Sequence, residues 1–552
     1  MTPEQLSAAI VGALTDLVEF GALTLPDGVP ASVVVERPKS KEHGDYATNV
    51  ALQLAKKAGT NPRALAGLLA ERLGAVEGIA SVEIAGPGFL NVRVEAGAQG
   101  ALAAQVVEAG SSYGANDALA GQRFNVEFIS ANPTGPIHLG HTRWAVVGDA
   151  IARVVEAAGA EVTREFYIND RGNQMDKFGA SIEAAALGKP VPEDGYHGDY
   201  IADIAAQIVA ENPHILDLPE GERLVAFREA GYKLQLAEQQ HQLEEFRTHF
   251  DVWYSERSLH DGDKVQHGLD KLEQQGHLFE DDGALWMRTT DFGDDKDRVL
   301  RRGNGELTYF ASDTAYYVDK RERGFDVCIY LLGADHHGYV GRLKAMAACA
   351  GDDPDHNIEV LIGQLVKIMR GGEEIRLSKR AGAIVTLQEL VEMIGVDALR
   401  YTLSRYPADS PLTLDVEQIT RQASDNPVFY VQYAHARLAS IVRNGADLGV
   451  TSSAFDPSLL SHEKEGELLR ALAEFPRVVA TAATLREPHR VARYLEDTAG
   501  SFHRFYDACR VLPMGDEEPA PIHAARLLLV EATKTVLANG LRLLGVTAPE
   551  RM

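Results

Sequence analysis

Residues 123–168 have the sequence RFNVEFISANPTGPIHLGHTRWAVVGDAIARVVEAAGAEVTREFYI. An apolar run is followed by a loop rich in Gly and Pro, then by a long helical pattern, and then by a second apolar run. This order predicts a strand, a loop, a helix and a second strand, which together begin a parallel α/β unit.

Two later apolar runs extend the predicted sheet. The run DVCIYLL ends in GADHHG, and the strand candidate VLIGQLVKIMR precedes a Gly-rich, charged loop. Polar residues therefore follow the predicted strands at their carboxyl ends, where doubly wound parallel sheets bind ligands.

The regions on either side have different patterns. Residues 1–112 contain helical stretches and strand candidates at 33–35 and 89–94, which predict a small α+β domain. Residues 111–121 are mostly small or polar and predict a linker, and after about residue 396 the pattern is helical almost throughout. Since 552 residues fit about three separate cores, we predict a multidomain α/β protein with domains at 1–112, 113–395 and 396–552.

The composition narrows the class of protein. With 45% hydrophobic and 24% charged residues, and no apolar run near the ~18 residues of a membrane span, it predicts a soluble protein. The N-terminus predicts an amphipathic helix, not a secretion signal, and the three cysteines form no CxxC pair, so we expect a reducing cytoplasm and no protein-bound zinc. The net charge of −26 lowers the expectation of RNA binding, but a basic face can still act locally because charges are screened within ~8 Å.

The sequence His138-Leu139-Gly140-His141 lies between the first predicted strand and helix. Glycines at 135 and 140 allow the backbone to approach a ligand, and a following helix would direct free N–H groups and its positive end at an anion. Two imidazoles three residues apart could then meet one phosphate chain. The alternative is that both histidines are solvated loop residues.

A cationic loop, RLSKRAG, occupies residues 376–382. Alone it could be a solvated charge run. Together, however, an HxGH sequence near the start of a nucleotide-binding sheet and a K/R-x-S-K loop near its end resemble the two motifs of class I aminoacyl-tRNA synthetases, with Arg376 and Leu377 in place of the usual Lys and Met. The resemblance implies that a carboxylate attacks the α-phosphorus of ATP and that pyrophosphate leaves.

In that chemistry His138 and His141 would stabilise charge on the transferring phosphate, and Lys379 would neutralise the leaving pyrophosphate. The resemblance further implies ATP contacts, which would come from Gly140, Gly333, Asp335, Ser378 and Lys379.

Longer segments narrow the resemblance to bacterial arginyl-tRNA synthetases. They cover nearly the whole chain and include VEFISANPTGPIHLGHTRWAVVGDA, GDDKDRVLRRGNGELTYFASDTAYY, YLLGADHHGYVGRLKA, DNPVFYVQYAHARL and LLGVTAPERM. The family implies a Rossmann-like catalytic domain, an N-terminal tRNA-binding domain and a helical anticodon-binding domain. It also implies ATP with Mg²⁺, L-arginine and tRNA(Arg) as partners, with no membrane or DNA partner, and a cytoplasmic monomer.

The segment GELTYFASDTAYY places Tyr309 and Asp313 four residues apart, one turn if the stretch is helical. The resemblance places both on the substrate guanidinium, which a carboxylate can bind through charge-assisted hydrogen bonds and an aromatic ring can stack on. The alternative is a surface Asp beside a core Tyr.

The resemblance also implies that Asn132 holds the α-amino end of the substrate. Glu127 either contacts the substrate or pairs with a nearby base.

Six residues are candidates for tRNA contact. The N-terminal ones, suited to unpaired bases, are His43, Tyr46 and Asn49, and the C-terminal ones are Tyr430, Tyr433 and Arg437. The alternatives are that the first group is an ordinary helix start and that the aromatic residues of the second group belong to the core.

Two rival functions are a small-molecule nucleotidyltransferase, which is typically much shorter, and an inactive synthetase-like RNA-binding protein. The intact His138, His141 and Lys379 argue against the second.

Overall fold

The computed structural model describes residues 1–38, 40–336, 338–375 and 385–552. The predicted contributions of Arg376, Ser378 and Lys379 lie outside the described residues. The described α-helices are α1 (Pro3–Glu19), α2 (Val50–Leu54), α3 (Pro62–Leu73), α4 (Ala96–Ala109), α5 (Leu139–Ala157), α6 (Asn173–Ala186), α7 (Asp199–Glu211), α8 (Glu220–Glu245), α9 (Arg257–Asp261), α10 (Lys264–Gln274), α11 (Tyr309–Glu322), α12 (Tyr339–Cys349), α13 (Leu387–Ile394), α14 (Val396–Ser404), α15 (Val416–Thr420), α16 (Pro427–Asp447), α17 (Glu463–Ala473), α18 (Phe475–Leu485), α19 (His489–Ala508) and α20 (Pro521–Leu543). The described strands are β1 (Tyr46–Thr48), β2 (Ile79–Ala85), β3 (Phe89–Val94), β4 (Arg123–Glu127), β5 (Glu161–Ile168), β6 (Val252–Ser255), β7 (Leu278–Asp281), β8 (Ala284–Met287), β9 (Arg298–Arg301), β10 (Val327–Gly333), β11 (Ile358–Gly363), β12 (Val366–Arg370), β13 (Glu373–Glu374) and β14 (Leu412–Asp415).

The N-terminal region folds around an antiparallel sheet of order β1-β3-β2, with α1 and α3 contributing to its core. The strand predicted at 89–94 is confirmed as β3. The strand predicted at 33–35 is wrong, because side-chain hydroxyls occupy the backbone groups that a ladder would use. Ser7 Oγ donates to the carbonyl of Val33 and accepts from its N–H, and Thr48 Oγ1 donates to the carbonyl of Val34.

The central sheet is parallel and has the order β11-β10-β4-β5-β6. Its first strand in the chain, β4, lies in the middle, and successive strands are added first on one side and then on the other. This is the predicted doubly wound arrangement. The winding reverses between β4 and β10, so a ligand site is expected where those two strands end.

The run at 360–370, predicted as one apolar strand before the charged loop, divides between two sheets. β11 ends at Gly363, and β12 then pairs with β14 in parallel and with β13 in antiparallel. A Cβ at Gly363 would lie 2.1 Å from the Trp144 ring, so only glycine lets the chain pass so close to α5. Arg143 holds the turn by donating to the carbonyl of Gln364 at 2.9 Å.

The C-terminal region is built mainly of helices, α16–α20, as predicted. The segment at 111–121 is not a free linker. The Tyr113 hydroxyl donates to the carbonyl of Leu472 at 2.8 Å, and the Asn539 amide donates to the carbonyls of Gly110 and Tyr113. Across the described ranges, no helix is both long and apolar enough to cross a bilayer.

Candidate active site

A cavity of about 920 Å³ opens at the carboxyl ends of β4 and β10. Eight of the residues predicted for the site line it, and these are Glu127, His138, Gly140, His141, Tyr309, Asp313, Gly333 and Asp335. The fold therefore brings together residues that are up to 208 positions apart in the chain, 127 and 335. Asn132 is exposed and does not line the cavity.

The turn after β4 is strained. Ile129 and Ser130 have φ angles of 69° and 47°, in the left-handed region that non-glycine residues rarely adopt. The turn places Ser130 Oγ between two partners: it donates to Glu127 Oε1 at 3.0 Å and accepts from the Tyr167 N–H at 3.2 Å. Strain of this kind persists where the surroundings hold it, and it is common at functional sites.

The HxGH sequence forms the start of α5. His138 is the N-cap residue, and its Nδ1 accepts from the Gly140 N–H at 3.1 Å, which leaves Nε2 as the nitrogen that carries the proton when the ring is neutral. The rings of His138 and His141 stack with centroids 3.8 Å apart. Burial lowers the pKa of His138, and burial together with His138 lowers the pKa of His141 to about 3. Both imidazoles are therefore mainly neutral near pH 7 and are suited to donate hydrogen bonds.

The first turn of α5 differs from the prediction of free N–H groups. Gly140 N–H is bound by the His138 ring, and the N–H of Leu139 donates to the carbonyl of Val385 at 2.8 Å. The Leu387 N–H in turn donates to the carbonyl of Ile137 at 2.8 Å. The chain that follows the cationic loop at 376–382 thus pairs with the HxGH turn, although the loop itself is outside the described residues.

The other end of the cavity is formed by the first turns of α11. Thr308 caps this helix by accepting from the Ala311 N–H, and the helical spacing predicted for Tyr309 and Asp313 is confirmed. Tyr309 is 82% exposed at the cavity wall. Asp313 has no hydrogen bond or ion pair with any described residue. Its pKa is raised to about 7, first because it is buried and then because the carboxylates of Glu127 and Glu256 repel its charge more than Arg342 offsets.

Glu127 differs from Asp313 in having a cation of its own. Its Oε2 lies 2.5 Å from Nζ of the fully buried Lys320, which also sits 4.4 Å and 4.0 Å from the ring centres of Tyr316 and Tyr330. The geometry therefore places Glu127 in an ion pair at the cavity wall, which is the alternative considered for it above.

The sequence reasoning missed an aromatic wall around Asp313. Tyr167, Tyr316 and Tyr330 line the cavity beside it. Tyr316 lies three residues after Asp313 on α11, so helical periodicity could have identified it. Tyr167 and Tyr330 are on separate strands, and only the sheet order brings them to the same place.

The predicted tRNA contacts have unequal exposure. His43 is exposed, Asn49 and Tyr430 are half-buried, and Tyr433 is 42% exposed. Tyr46 is only 2% exposed, in the N-terminal core, and its hydroxyl donates to the carbonyl of Met1. A base could stack on its ring only if the ring left that core.

The helix α16 presents an aromatic and basic surface. Tyr433 stacks on Phe429 with ring centres 5.9 Å apart, Arg437 lies 4.3 Å from the Tyr506 ring centre, and the Tyr430 ring is 5.1 Å from that of His503.

Two adjoining cavities of about 490 and 520 Å³ together form a basic groove. This groove runs between the N-terminal region and α17–α19. Its cationic residues are Arg37, Arg93, Arg470, Arg477, Arg490, Arg493 and Arg504, and its acidic ones are Asp45, Glu467, Glu474 and Asp497. Asp45 is paired with Arg470 at 2.9 Å. The local excess of positive charge contrasts with the net charge of −26 of the whole chain.

Family models match the three parts of the chain. Residues 4–94 match the arginyl tRNA synthetase N terminal domain, residues 104–403 the catalytic domain of class I (R) tRNA synthetases, and residues 431–552 the DALR anticodon binding domain.

Curated relatives named arginine–tRNA ligase are similar over the full length of both chains. The chain is 59% identical to that of Renibacterium salmoninarum over 553 residues and 58% identical to that of Kineococcus radiotolerans over 554, each with 100% of both chains covered. The solved Thermus thermophilus arginyl-tRNA synthetase has the same fold, with a TM-score of 0.74, 24% identity and 100% of both chains covered. The chain therefore belongs to the arginyl-tRNA synthetases of class I.

Proposed function

We propose that this protein activates L-arginine with ATP, releasing pyrophosphate, and transfers the arginyl group to the 3′ end of tRNA(Arg). Activation would take place in the 920 Å³ cavity, with arginine at the α11 end and the nucleotide at the HxGH end. An arginine–tRNA ligase needs both sites in contact, because the carboxylate of one substrate attacks the α-phosphorus of the other.

One observation carries the assignment of arginine: Asp313 forms no ion pair with a described residue, and Arg342 offsets only part of the repulsion from Glu127 and Glu256. It lies against tyrosines and two further carboxylates, so the site disfavours its charge until a cation arrives. A guanidinium supplies that charge and can donate two parallel hydrogen bonds to one carboxylate. The exposed ring of Tyr309, one turn away, can stack on the guanidinium plane.

At the nucleotide end, His138 and His141 would donate hydrogen bonds from neutral rings to the phosphate that is transferred. Gly140, Gly333 and Asp335 line that part of the cavity and would contact ATP, which enters as its magnesium complex. We assign Ser378 to ATP binding and Lys379 to the leaving pyrophosphate. The chain beyond their loop returns to the HxGH turn at Val385, which supports this assignment.

At the arginine end, Asn132 would bind the α-amino group, and the Glu127 carboxylate, which is paired with Lys320, would form part of the wall that the bound arginine contacts. We retain domain limits at 1–112, 113–395 and 396–552 as a proposal.

For tRNA we propose contacts at His43, Asn49, Tyr430, Tyr433 and Arg437, and also at Tyr46 if its ring is released. The basic groove between the N-terminal region and α19 would hold the phosphate backbone between them. Arg37 and Arg493 support this, because both are exposed and neither has an ion pair or hydrogen bond with a described residue. We expect a cytoplasmic monomer.

The test is charging of total tRNA with each of the twenty amino acids, and with citrulline, in the presence of ATP and magnesium. We expect charging with arginine alone. Citrulline has a neutral urea where arginine has a guanidinium, so it should fail. Equal or better charging with lysine or citrulline would contradict the proposal.

A further inference from the structure

The loop at 131–137, ANPTGPI, connects the two ends of the cavity. It begins after Ser130, which lines the arginine end, and it leads to His138 at the nucleotide end. Asn132 lies within it. Two of its residues, Pro133 and Pro136, have no N–H, so the loop has few backbone donors of its own.

The carbonyls that precede these two prolines are bound by a single side chain. Gln239 on α8 donates from Nε2 to the carbonyl of Asn132 at 3.0 Å and to that of Gly135 at 2.7 Å. Gln239 is fully buried. A primary amide nitrogen has two N–H groups, which matches two neighbouring carbonyls that accept from no backbone N–H of a described residue.

The other atom of this amide is left without a partner. Gln239 Oε1 is buried and accepts no hydrogen bond from the described residues. An unsatisfied buried acceptor destabilises the fold, so the amide is held by its two donor contacts to the loop and not by its oxygen. The α7 residue Tyr200 adds a third contact, since its hydroxyl donates to the carbonyl of Thr134 at 3.0 Å.

The helices α6, α7 and α8 form an insert between β5 and β6 with a small core of its own, which includes Phe178, Ile204 and Phe227. Toward its end, α8 also enters the main core through Leu243. Gln239 lies between these two anchored parts of the helix, so the position of its amide is fixed from both sides.

We propose that Gln239 is a positioning residue, which fixes the backbone of the 131–137 loop so that the Asn132 side chain, exposed outside the cavity lining in this structure, can turn to the α-amino end of arginine when it binds. The inference rests on the proposed function, since the Asn132 contact is part of it. The nucleotide end should be much less sensitive, because the HxGH turn is anchored separately by the hydrogen bonds to Val385 and Leu387.

Gln239→Leu should raise the KM for arginine by about tenfold or more, because small displacements of a substrate-binding loop have large effects. The KM for ATP should stay within about twofold. The matched control is Gln235→Leu. Gln235 is an equally buried glutamine on α8, but its Nε2 donates to Glu238 and not to the loop. Both variants lose a buried amide, so both should show similar losses in Tm, and only Gln239→Leu should change the KM for arginine.

Gln239→Glu adds a pH-dependent measurement. If Gln239 had only a structural role, the KM for arginine of this variant relative to the parent would not depend on pH. The ionised carboxylate has no donor and faces two carbonyl oxygens, whereas the protonated form has one O–H to donate. The ratio of its KM for arginine to that of the parent should therefore fall as the pH is lowered from 8 to 6. This variant also keeps the test open if Gln239→Leu does not fold.

Equal arginine KM values for Gln239→Leu and Gln235→Leu, or a pH-independent ratio near one for Gln239→Glu, would overturn the inference. Failure of the proposed function would look different, since the parent enzyme itself would not charge tRNA with arginine.

Discussion

Two regions of this molecule shield a charged side chain from water, the cluster around Arg400 and the cavity around Asp313. They differ in whether that side chain has a partner of opposite charge. Where α5 meets α14 and the end of α20, Arg400 is fully buried and all three of its guanidinium nitrogens donate hydrogen bonds. Its acceptors include the carboxylate of Asp149 and the carbonyl of Leu544. In the cavity, Asp313 is the reverse case, because it forms no ion pair with a described residue and the carboxylates of Glu127 and Glu256 outweigh the effect of Arg342.

The difference separates a structural site from a binding site. The Arg400 guanidinium has a carboxylate partner and acceptors for all three nitrogens, so it links α5, α14 and the end of α20 whether or not a substrate is present. The cluster around Asp313 is one positive charge short, and we attribute that charge to the substrate. Four predictions test this contrast.

Arg400→Met should have the largest effect on stability. It removes the cation and leaves Asp149 buried with weaker compensation, which typically destabilises by ~3–5 kcal/mol. Thermal and urea unfolding would measure the loss. The double variant Asp149→Leu/Arg400→Met should recover part of it, since the unpaired charge is then gone. If Arg400→Met unfolds like the parent, the cluster does not link these helices as described.

Asp313→Asn should have the opposite pattern of effects, with a loss of activity toward arginine and no loss of stability. Without an anionic acceptor, kcat/KM for arginine should fall. The loss, expressed as a free energy, should be the ~2–5 kcal/mol that breaking a desolvated charge pair costs. The free energy of unfolding without substrate should be unchanged or higher, because a half-buried carboxylate without an ion pair is removed. An arginine kcat/KM within threefold of the parent would show that Asp313 does not bind the guanidinium.

The pH dependence follows from the raised pKa of Asp313, about 7. Below that pH the carboxyl is protonated and cannot balance a guanidinium, so the KM for arginine should rise about tenfold between pH 8 and pH 6. The folded protein also holds an extra proton between the ordinary pKa of 3.8 and about 7, so this group lowers the free energy of unfolding as pH rises through that window. Both effects should be absent in Asp313→Asn.

Tyr309→Ala should have the smallest effect. Tyr309 is 82% exposed, and a cation–π contact at an exposed site contributes ~0.5–1 kcal/mol, so the KM for arginine should rise about two- to fivefold. Tyr309→Phe keeps the ring face and should stay within about twofold of the parent. A loss as large as that of Asp313→Asn would mean that the hydroxyl or the helix start has a role beyond stacking.

The same contrast shows what the sequence could and could not predict. The sheet and the position of the HxGH turn between strand and helix follow from hydrophobic periodicity and Gly/Pro placement. The roles of Tyr309 and Asp313 were implied only by the resemblance to the family. The absence of a partner for Asp313 could not be predicted, because it depends on residues from α11, β4 and the segment after β6 meeting in space. The failed strand at 33–35 has a similar cause, since hydroxyls of Ser7 and Thr48 from elsewhere in the chain bind its backbone.

For Glu127 the sequence left two alternatives, substrate contact or pairing with a base, and it could not identify the base. Its partner Lys320 is 193 residues away, and only the packing of α11 against β4 makes the ion pair. The cluster around Arg400 could not be predicted either, because Asp149 is 251 residues away and the other acceptors include backbone carbonyls, which composition does not reveal.

The most direct test of the central claim is to count the protons released when arginine binds. At pH 7 about half of the Asp313 carboxyls are protonated, and a bound guanidinium would require all of them to ionise. Calorimetric titration with arginine at pH 7, in two buffers of different ionisation enthalpy, should therefore show release of about half a proton per arginine bound. Asp313→Asn should release none. Release of the same number of protons by the parent and by Asp313→Asn would show that Asp313 does not receive the guanidinium.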